Sequence, residues 1–368
     1  MPILQKIIIS NFRNIEFQEL EFIPNINCIS GNNGEGKTNL LDAIYYLSMT
    51  KSYFSTVDKF NFRHETEQFT LSGNYMMDKG IESKFIISVN DKGDKKVKVD
   101  EKAYSRNSEH IGVLPIVMIS PADSALVSES SQERRRFINS VLSQLDRPYL
   151  LAMQQYNRLL LQRNNMLKIS NVDMDLLEVI DEKMSELADN IYNKRKVFIK
   201  NLSNILSSYY GLLSSANEEV RIEYKSDLDD GPLSEILAQR RDRDRLLKYT
   251  GAGIQRDDLI FYLNDYPIRK CGSQGQQKSF LVALKFAQYD LMKSSYGFPP
   301  ILLLDDIFDK LDMERTSNLL SMVSSEDFGQ IFISDSNKVR MKSIVDGFTQ
   351  DSLYLEAVSG KFNRLSDV

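Results

Sequence analysis

Tryptophan is absent from the 368 residues, and cysteine and histidine occur only twice each. Cys28 and Cys271 lie far apart in sequence and form no metal or disulfide pattern. A reducing, cytoplasmic setting fits them best. His64 and His110 are too few for a histidine-based metal site or a catalytic triad. No run of about eighteen apolar residues occurs, so no membrane span is expected. The start, MPILQKIIISNF, lacks the charged-then-apolar layout of a signal peptide. Neither sign of charge dominates: 46 basic residues face 51 acidic ones, for a formal net charge of −5. That excludes a disordered polyelectrolyte and a highly basic packaging protein. It leaves open a nucleic-acid binder whose positive charge is local. What is present is 42% hydrophobic content over a length that suits two or three domains with real cores.

β-Branched residues dominate the first thirty positions, and strands are expected from Ile3, around Phe17 to Phe22, and at Asn27 to Ser30. A glycine-rich loop and a helix from Lys37 to about Ser48 follow. The runs FTLSGNY, SKFIISVN and KKVKVD, parted by DKGIE and NDKGD, predict antiparallel hairpins. Residues 115–119 predict another short strand. Glycine then disappears between Gly112 and Gly211, and helix formers take over from about Ser131. One helix is expected over 147–168, with Pro148 in its first turn and a stripe of Tyr149, Met153, Tyr156, Leu160 and Leu167. A second is expected over 173–213. Its stripe is Leu177, Ile180, Met184, Leu187, Ile191, Phe198, Leu202, Ile205, Tyr209 and Leu212, with a charged interruption at Lys194. The short link between the helices implies an antiparallel, coiled-coil-like arm; an ordinary helical subdomain has equal weight. Mixed α/β texture returns after Glu219, with a helix over 233–248, a hairpin over 259–268 and a helix over 276–292. Buried strands at 301–304 and 330–333 flank a helix over 313–323.

Four segments point to one nucleotide site. Gly31-Asn32-Asn33-Gly34-Glu35-Gly36-Lys37-Thr38 matches the phosphate loop at every fixed position, between a strand and an amphipathic helix. Its backbone N–H groups would converge on phosphates at a helix N-terminus. Lys37 would neutralise the β- and γ-phosphates, and the Thr38 hydroxyl would ligate Mg²⁺. Ile301-Leu302-Leu303-Leu304-Asp305-Asp306 is a buried strand ending in acid, the Walker B arrangement. Asp305 would hold Mg²⁺, and Asp306 would orient or deprotonate the attacking water; the bland alternative is a strand followed by a helix-capping Asp. Ser273-Gln274-Gly275-Gln276-Gln277-Lys278-Ser279 is weak alone, being a polar turn that opens a helix. It precedes the Walker B strand, and that order resembles ABC-type ATPases, in which the signature of one subunit grips ATP bound to the other. Asp309-Lys310-Leu311-Asp312 stands where such ATPases carry the D-loop, with helix capping at Asp309 or Asp312 an equal reading. Ser273 lies 236 residues beyond Lys37, far more than a transporter ATPase usually needs.

Over essentially its whole length the chain resembles the RecF family of bacterial recombination mediators. The resemblance rests on Asn11-Phe12-Arg13-Asn14, on Thr38-Asn39-Leu40-Leu41-Asp42-Ala43-Ile44 with Lys51-Ser52, and on Ser120-Pro121-Ala122-Asp123. It continues in Arg134-Arg135-Arg136-Phe137, Gln162-Arg163-Asn164-Asn165, Arg256-Asp257-Asp258 and the SQGQQK signature. It implies an α/β, ABC-type P-loop ATPase head with an antiparallel β-rich lobe and an inserted helical arm. The expected segments are 1–125 (phosphate loop and β-rich lobe), 126–225 (arm) and 226–368 (signature, Walker B and D-loop). It also implies nucleotide contacts from Arg13, Asn39, Asn32, Asn33 and Glu35 and, from the signature, Ser273, Gly275 and Gln276. The implied function is an ATP-driven homodimer that clamps gapped or junction DNA, hydrolyses ATP slowly, works with a RecR-type mediator and helps load recombinase in DNA repair. Two places depart from the family pattern. Gly253-Ile254-Gln255 stands where Gly-Pro-His is usual, and Ser334-Asp335-Ser336 replaces a threonine-rich switch, adding a negative charge.

Basic residues are scattered. Residues 239–248 hold five basic and two acidic residues, residues 131–200 hold twelve and nine, and Lys92, Lys95, Lys96, Lys98 and Lys102 decorate the hairpins. A solvated face is the ordinary reading of each cluster, but weak patches sum across a dimer. Two other classes compete. The ATPase subunit of a membrane transporter is opposed by the signature, the large insert and the missing histidine switch. An SMC-like ATP-dependent nuclease would need a further acidic metal site, which the sequence does not offer.

Overall fold

The structure, a computed structural model, describes residues 1–169, 171, 173–214, 218–308, 328–345 and 351–365; within the helix Lys338–Val345 side chains are described to Lys342. The expected D-loop and the helix over 313–323 lie outside the described residues. Contacts divide the chain into two units, Met1–Asp123 with Gln288–Val368, and Ser124–Ala287.

The first unit holds two six-stranded sheets. In the central one the strands run in the order Lys361–Arg364, Ser352–Val358, Ile26–Ser30, Ile331–Asp335, Ile301–Asp305, Ile116–Ile119. All neighbours are parallel except the hairpin of the first two. INCIS, ILLLD and IFISD are buried at every position, as befits strands covered on both faces. Register sets Ser30 beside Asp335 and Asp305 beside Ser334, so the polar residues gather at the carboxyl ends. Outside such ends is where open parallel sheets bind ligands. The strand Ser352–Val358, next to Ile26–Ser30, is not among the expected elements; only Leu353, Leu355 and Ala357 are buried along it.

The other sheet is antiparallel, in the order Ile15–Glu21, Ile3–Phe12, Gln68–Met76, Glu82–Asn90, Lys95–Val99, Lys102–Ala103. The helix Lys37–Met49 is buried at every position from Leu40 onward. Its Leu40, Leu41, Ile44 and Leu47 share one core with Ile7, Ile9, Leu71 and Ile87 of that sheet and Leu303 and Phe332 of the central sheet. This encasement fixes where the phosphate loop ends and the helix begins. His110 belongs to the same core: its Nε2–H donates to the Leu47 carbonyl at 2.6 Å, and burial holds its pKa below the usual value.

The second unit joins the helices Ser131–Leu145, Arg147–Met166, Met174–Leu213 and Leu233–Leu247 to a three-stranded sheet of Tyr266–Pro267, Asp258–Leu263 and Val220–Lys225. Asp146 and Asp173 cap the two arm helices through the N–H groups of Tyr149 and Leu176. Residues 226–287, expected with the ATPase head, fall in this unit, because the strand Val220–Lys225 and the helix Leu233–Leu247 both pack on the long helix. The buried stripe of that helix matches expectation at Leu177, Ile180, Met184, Ile191, Phe198 and Leu202, then continues through Leu206, Tyr210 and Leu213 instead of Ile205, Tyr209 and Leu212. The charged interruption expected at Lys194 falls instead at Arg195, which is buried in the seam.

Two buried ionic clusters hold this unit. Arg195 Nη2 donates to Asn139 Oδ1 at 2.8 Å, Nη1 to the Ile254 carbonyl at 2.9 Å and Nε to Tyr149 Oη at 3.0 Å; Nη1 also pairs with Asp257. Arg163 pairs with Asp181 at 2.6 Å and Asp244 at 2.8 Å, and Asn164 accepts from the Thr250 N–H at 2.7 Å. Arg134 adds a pair with Asp258 at 2.7 Å. The Arg134–Phe137 and Arg256–Asp258 stretches thus meet as scaffold, and Gln162–Asn165 joins the separate Arg163 cluster. Gln255, in the position of the family's histidine, accepts from Tyr156 Oη and donates to the Ala252 carbonyl at 2.6 Å. Arg195→Ala would strand Asp257 as a buried charge, so denaturant unfolding should show a loss of about 3–5 kcal/mol. The double change Arg195→Met with Asp257→Leu should recover most of it; equal losses in both would contradict this account.

Candidate functional site

The phosphate loop leaves the strand Ile26–Ser30 and enters the helix Lys37–Met49 through backbone that only glycine adopts easily. Gly34 has φ +88° and nothing within 4 Å of where a Cβ would stand. Gly36 has φ +107°, and a Cβ there would lie 2.8 Å from the Asn14 side chain. No side chain caps the helix start at Gly36, so its first N–H groups are left for an anion. Lys37 Nζ, almost fully buried, donates to the carbonyls of Gly31 at 2.8 Å and Asn32 at 3.1 Å. Glu35 anchors the loop's outer side: its carboxylate accepts from the Ser359 N–H and its carbonyl from the Gly360 N–H at 2.9 Å.

Asp305 ends its strand buried, and hydroxyls converge on it. Thr38 Oγ1 donates within 3.0 Å of Oδ1 and 3.1 Å of Oδ2, Ser334 Oγ donates to Oδ1 at 2.7 Å, and Ser120 Oγ lies 3.5 Å from Oδ2. Burial pushes the Asp305 carboxyl above its usual pKa; the Ser334 and Thr38 hydrogen bonds pull the other way, neighbouring Asp306 raises it further, and Lys37 lowers it. Among the described residues no guanidinium pairs with this buried carboxylate, and with its hydroxyl neighbours it forms a hard-oxygen set suited to a Mg²⁺ bound with phosphates. Asp306 follows in the left-handed region, φ +45°, with its N–H on the carbonyl and hydroxyl of Ser334, both at 3.2 Å.

Arg13 and Asn39 meet beside the loop. Arg13 donates to Asn39 Oδ1 at 3.2 Å and to Ser52 Oγ at 3.0 Å, and pairs with fully buried Asp42 at 2.7 Å. Asn39 Nδ2 donates to Asn14 Oδ1 at 2.7 Å. Burial raises the Asp42 pKa, and Arg13 opposes that. The Arg13–Asn14 turn therefore braces the first turn of the phosphate-loop helix. Asn32 and Asn33 are exposed on the loop.

In the second unit the signature opens the helix Gln274–Tyr296 with a reciprocal cap. Ser273 Oγ accepts from the Gln276 N–H at 3.2 Å, and Gln276 Oε1 accepts from the Ser273 N–H at 2.7 Å. Gln276 Nε2 donates to Glu218 at 2.6 Å. Ser273 is exposed and Gly275 half-buried.

The sequence reading did not single out Asn14, Asp42, Ser120 or Ser334 individually for this site. The first three lie inside stretches that carry the family resemblance, and Ser334 inside a segment marked as a departure. The added charge of Asp335 is met locally: Arg340 clamps it through Nε and Nη2, both at 2.8 Å, and the Asn337 N–H donates at 2.7 Å.

A family profile described as RecF/RecN/SMC N terminal domain matches residues 3–350. The DNA replication and repair protein RecF of Bacteroides thetaiotaomicron is 42% identical over 364 residues, 99% of each chain. The chain belongs to the RecF family. Its counterpart in Flavobacterium johnsoniae is 43% identical, over 93% of this chain and 96% of that one. A solved structure of the recombination mediator protein RecF with ATP in the RecFOR pathway superposes with TM-score 0.89 at 28% identity, over 99% of this chain and 98% of that one. An Smc head domain from Pyrococcus furiosus, with an extended coiled coil and bound to the C-terminal domain of ScpA, gives 0.57 at 15% identity and supports the fold alone. The ABC-type ATPase head expected from the sequence is therefore the fold of this RecF-family chain.

Replacing Asp305 by Asn keeps acceptor oxygen for Thr38 and Ser334 but removes the buried charge. Because the folded pKa is raised, the neutral form is the one the fold prefers; that preference is fully present below the ordinary value near 4 and is lost as pH rises through the folded pKa. Nucleotide-free Asp305→Asn should therefore melt above the wild type at pH 7.5, with the gap closing toward pH 4.5. A variant that melts below the wild type at pH 7.5 would contradict the assignment.

Proposed function

We propose that the chain is an ATP-switched DNA-binding protein of recombinational repair and replication, whose ATP sites are completed only when two copies pair. The observation that carries the nucleotide reading is the hydrogen bonding of Thr38 to Asp305, 267 residues apart, beside Lys37. The RecF structure solved with ATP supports ATP as the ligand. In this reading the loop N–H groups and Lys37 bind the β- and γ-phosphates, Thr38 and Asp305 hold Mg²⁺, and Asp306 orients or deprotonates water. The ion would neutralise phosphate charge. Arg13 and Asn39 hold the helix N-terminus in place for the nucleotide, alongside Asn32, Asn33 and Glu35. Ser273, Gly275 and Gln276 of the partner subunit offer a second helix N-terminus to the γ-phosphate. Slow hydrolysis then opens the pair.

The names of the relatives, DNA replication and repair proteins, support DNA as the partner. The RecFOR pathway of the solved relative supports a RecR-type mediator. Gapped or junction DNA is the proposed target, with recombinase loading as the outcome. Part of the arm's positive charge is committed internally, since Arg163 and Arg195 are buried. Basic residues open to phosphates include Arg243, Arg245 and Lys248 on one unit and Lys92, Lys96 and Lys102 on the other, all exposed. Two weak patches per copy favour binding by a closed dimer. Among the described residues no group of three or more acidic, Cys or His side chains could hold a further metal ion, and no helix is long and apolar enough to cross a membrane.

Size-exclusion chromatography with Mg²⁺–ATP should move the wild type to a dimer, and Ser273→Arg should stay monomeric while still binding ATP. Lys37→Arg should bind ATP and dimerise but hydrolyse poorly. A Ser273→Arg protein that dimerises normally would overturn the composite site. DNA affinity should fall steeply with salt; flat salt dependence would overturn backbone-led binding.

A further inference from the structure

We propose that Ser334 is a positioning residue for the metal-binding and water-activating carboxylates, an inference that rests on the ATPase reading above. Its hydroxyl is fully buried and does two things at once. It donates to Asp305 Oδ1 at 2.7 Å, the shortest of the three hydroxyl approaches to that carboxylate. It also accepts from the Asp306 N–H at 3.2 Å. One oxygen thus fixes the rotation of the Asp305 carboxylate and the backbone from which Asp306 departs at φ +45°. The position is set by the sheet, because Ser334 is the register partner of Asp305 on the adjacent parallel strand.

The other two hydroxyls are placed differently. Thr38 reaches Asp305 from the phosphate-loop helix, the side from which it would meet an ion. Ser120 is 3.5 Å away, at the limit of a hydrogen bond. Ser334 alone among them holds the carboxylate from within the sheet. Its own strand end is anchored one residue on, where Asp335 is gripped by Arg340 and by the Asn337 N–H. Within the segment 334–336, the first serine faces the acidic pair. The Asp306 N–H keeps a second bond to the Ser334 carbonyl at 3.2 Å, so removing the hydroxyl leaves the strand end supported.

The test compares Ser334→Ala with Ser334→Thr, which restores a hydroxyl. Partners that orient metal-binding carboxylates typically contribute 10–100-fold to affinity or activity. In Ser334→Ala the Mg²⁺ concentration giving half-maximal hydrolysis should rise about tenfold and kcat should fall about tenfold, with KM for ATP changed less than about twofold. Calorimetry should find ATP binding in EDTA unchanged and only the tightening by Mg²⁺ weakened. Ser334→Thr should recover both. Mg²⁺ dependence and kcat that match the wild type in Ser334→Ala would overturn the inference. So would equal loss of ATP binding with and without Mg²⁺, which marks a scaffold residue, or failure of Ser334→Thr to recover. If the wild type neither binds nor hydrolyses ATP, the ATPase reading fails and the inference falls with it.

Discussion

A carboxylate buried at the end of a parallel strand is an expensive thing to fold around. Asp305 sits where the register of three buried strands brings Ser30, Ser334 and Asp335 to one edge. Hydroxyls from a helix, a strand and the residue just after another strand address it, and a lysine lies near. None of these neutralises it as an ion-paired guanidinium would. Asp335, one strand over, shows the contrast: equally buried, it is clamped by Arg340. The fold thus compensates one acid with a guanidinium and surrounds the other with hydroxyls. Everything around the phosphate loop serves that edge, from the encased helix to the Arg13–Asp42 brace.

The second unit solves a different problem. Its helices are long and its sheet small, so stability leans on Arg163 and Arg195, both fully buried among carboxylates, hydroxyls and carbonyls. Removing one member of such a cluster costs more than never having built it, and this favours a fixed geometry between the arm helices and the strand Val220–Lys225. The signature helix starts in this same unit. Its N-terminus is capped and exposed.

Much of this was legible in sequence. The phosphate loop and the acid-ended strand carry fixed spacings, and uniformly apolar runs such as ILLL mark buried parallel strands. The strand Ser352–Val358 was not legible, because an alternating half-exposed segment near a chain end has little contrast with a loop. The arm's seam was misread at Lys194 because periodicity counts charged residues as surface, whereas Arg195 is buried by partners distant in sequence. Asp257 and Asn139 can be matched to it only in three dimensions. The same limit hid Ser334, whose meaning depends on the residue opposite it in the sheet. The same holds for charge: Arg163 and Arg195 count among the twelve basic residues of 131–200, and both are buried.

The account rests on an ATP site made from two copies, the phosphate loop of one and the signature of the other. Mixing two inactive variants addresses that directly. Lys37→Ala lacks a working phosphate loop, and Ser273→Arg lacks a working signature. In a mixed dimer, the intact loop of the second variant would meet the intact signature of the first. The measurement is steady-state ATP hydrolysis of the mixture against each variant alone. Composite sites predict that activity returns on mixing and grows with the fraction of mixed dimers. Activity no greater than the sum of the two separate variants would contradict the account.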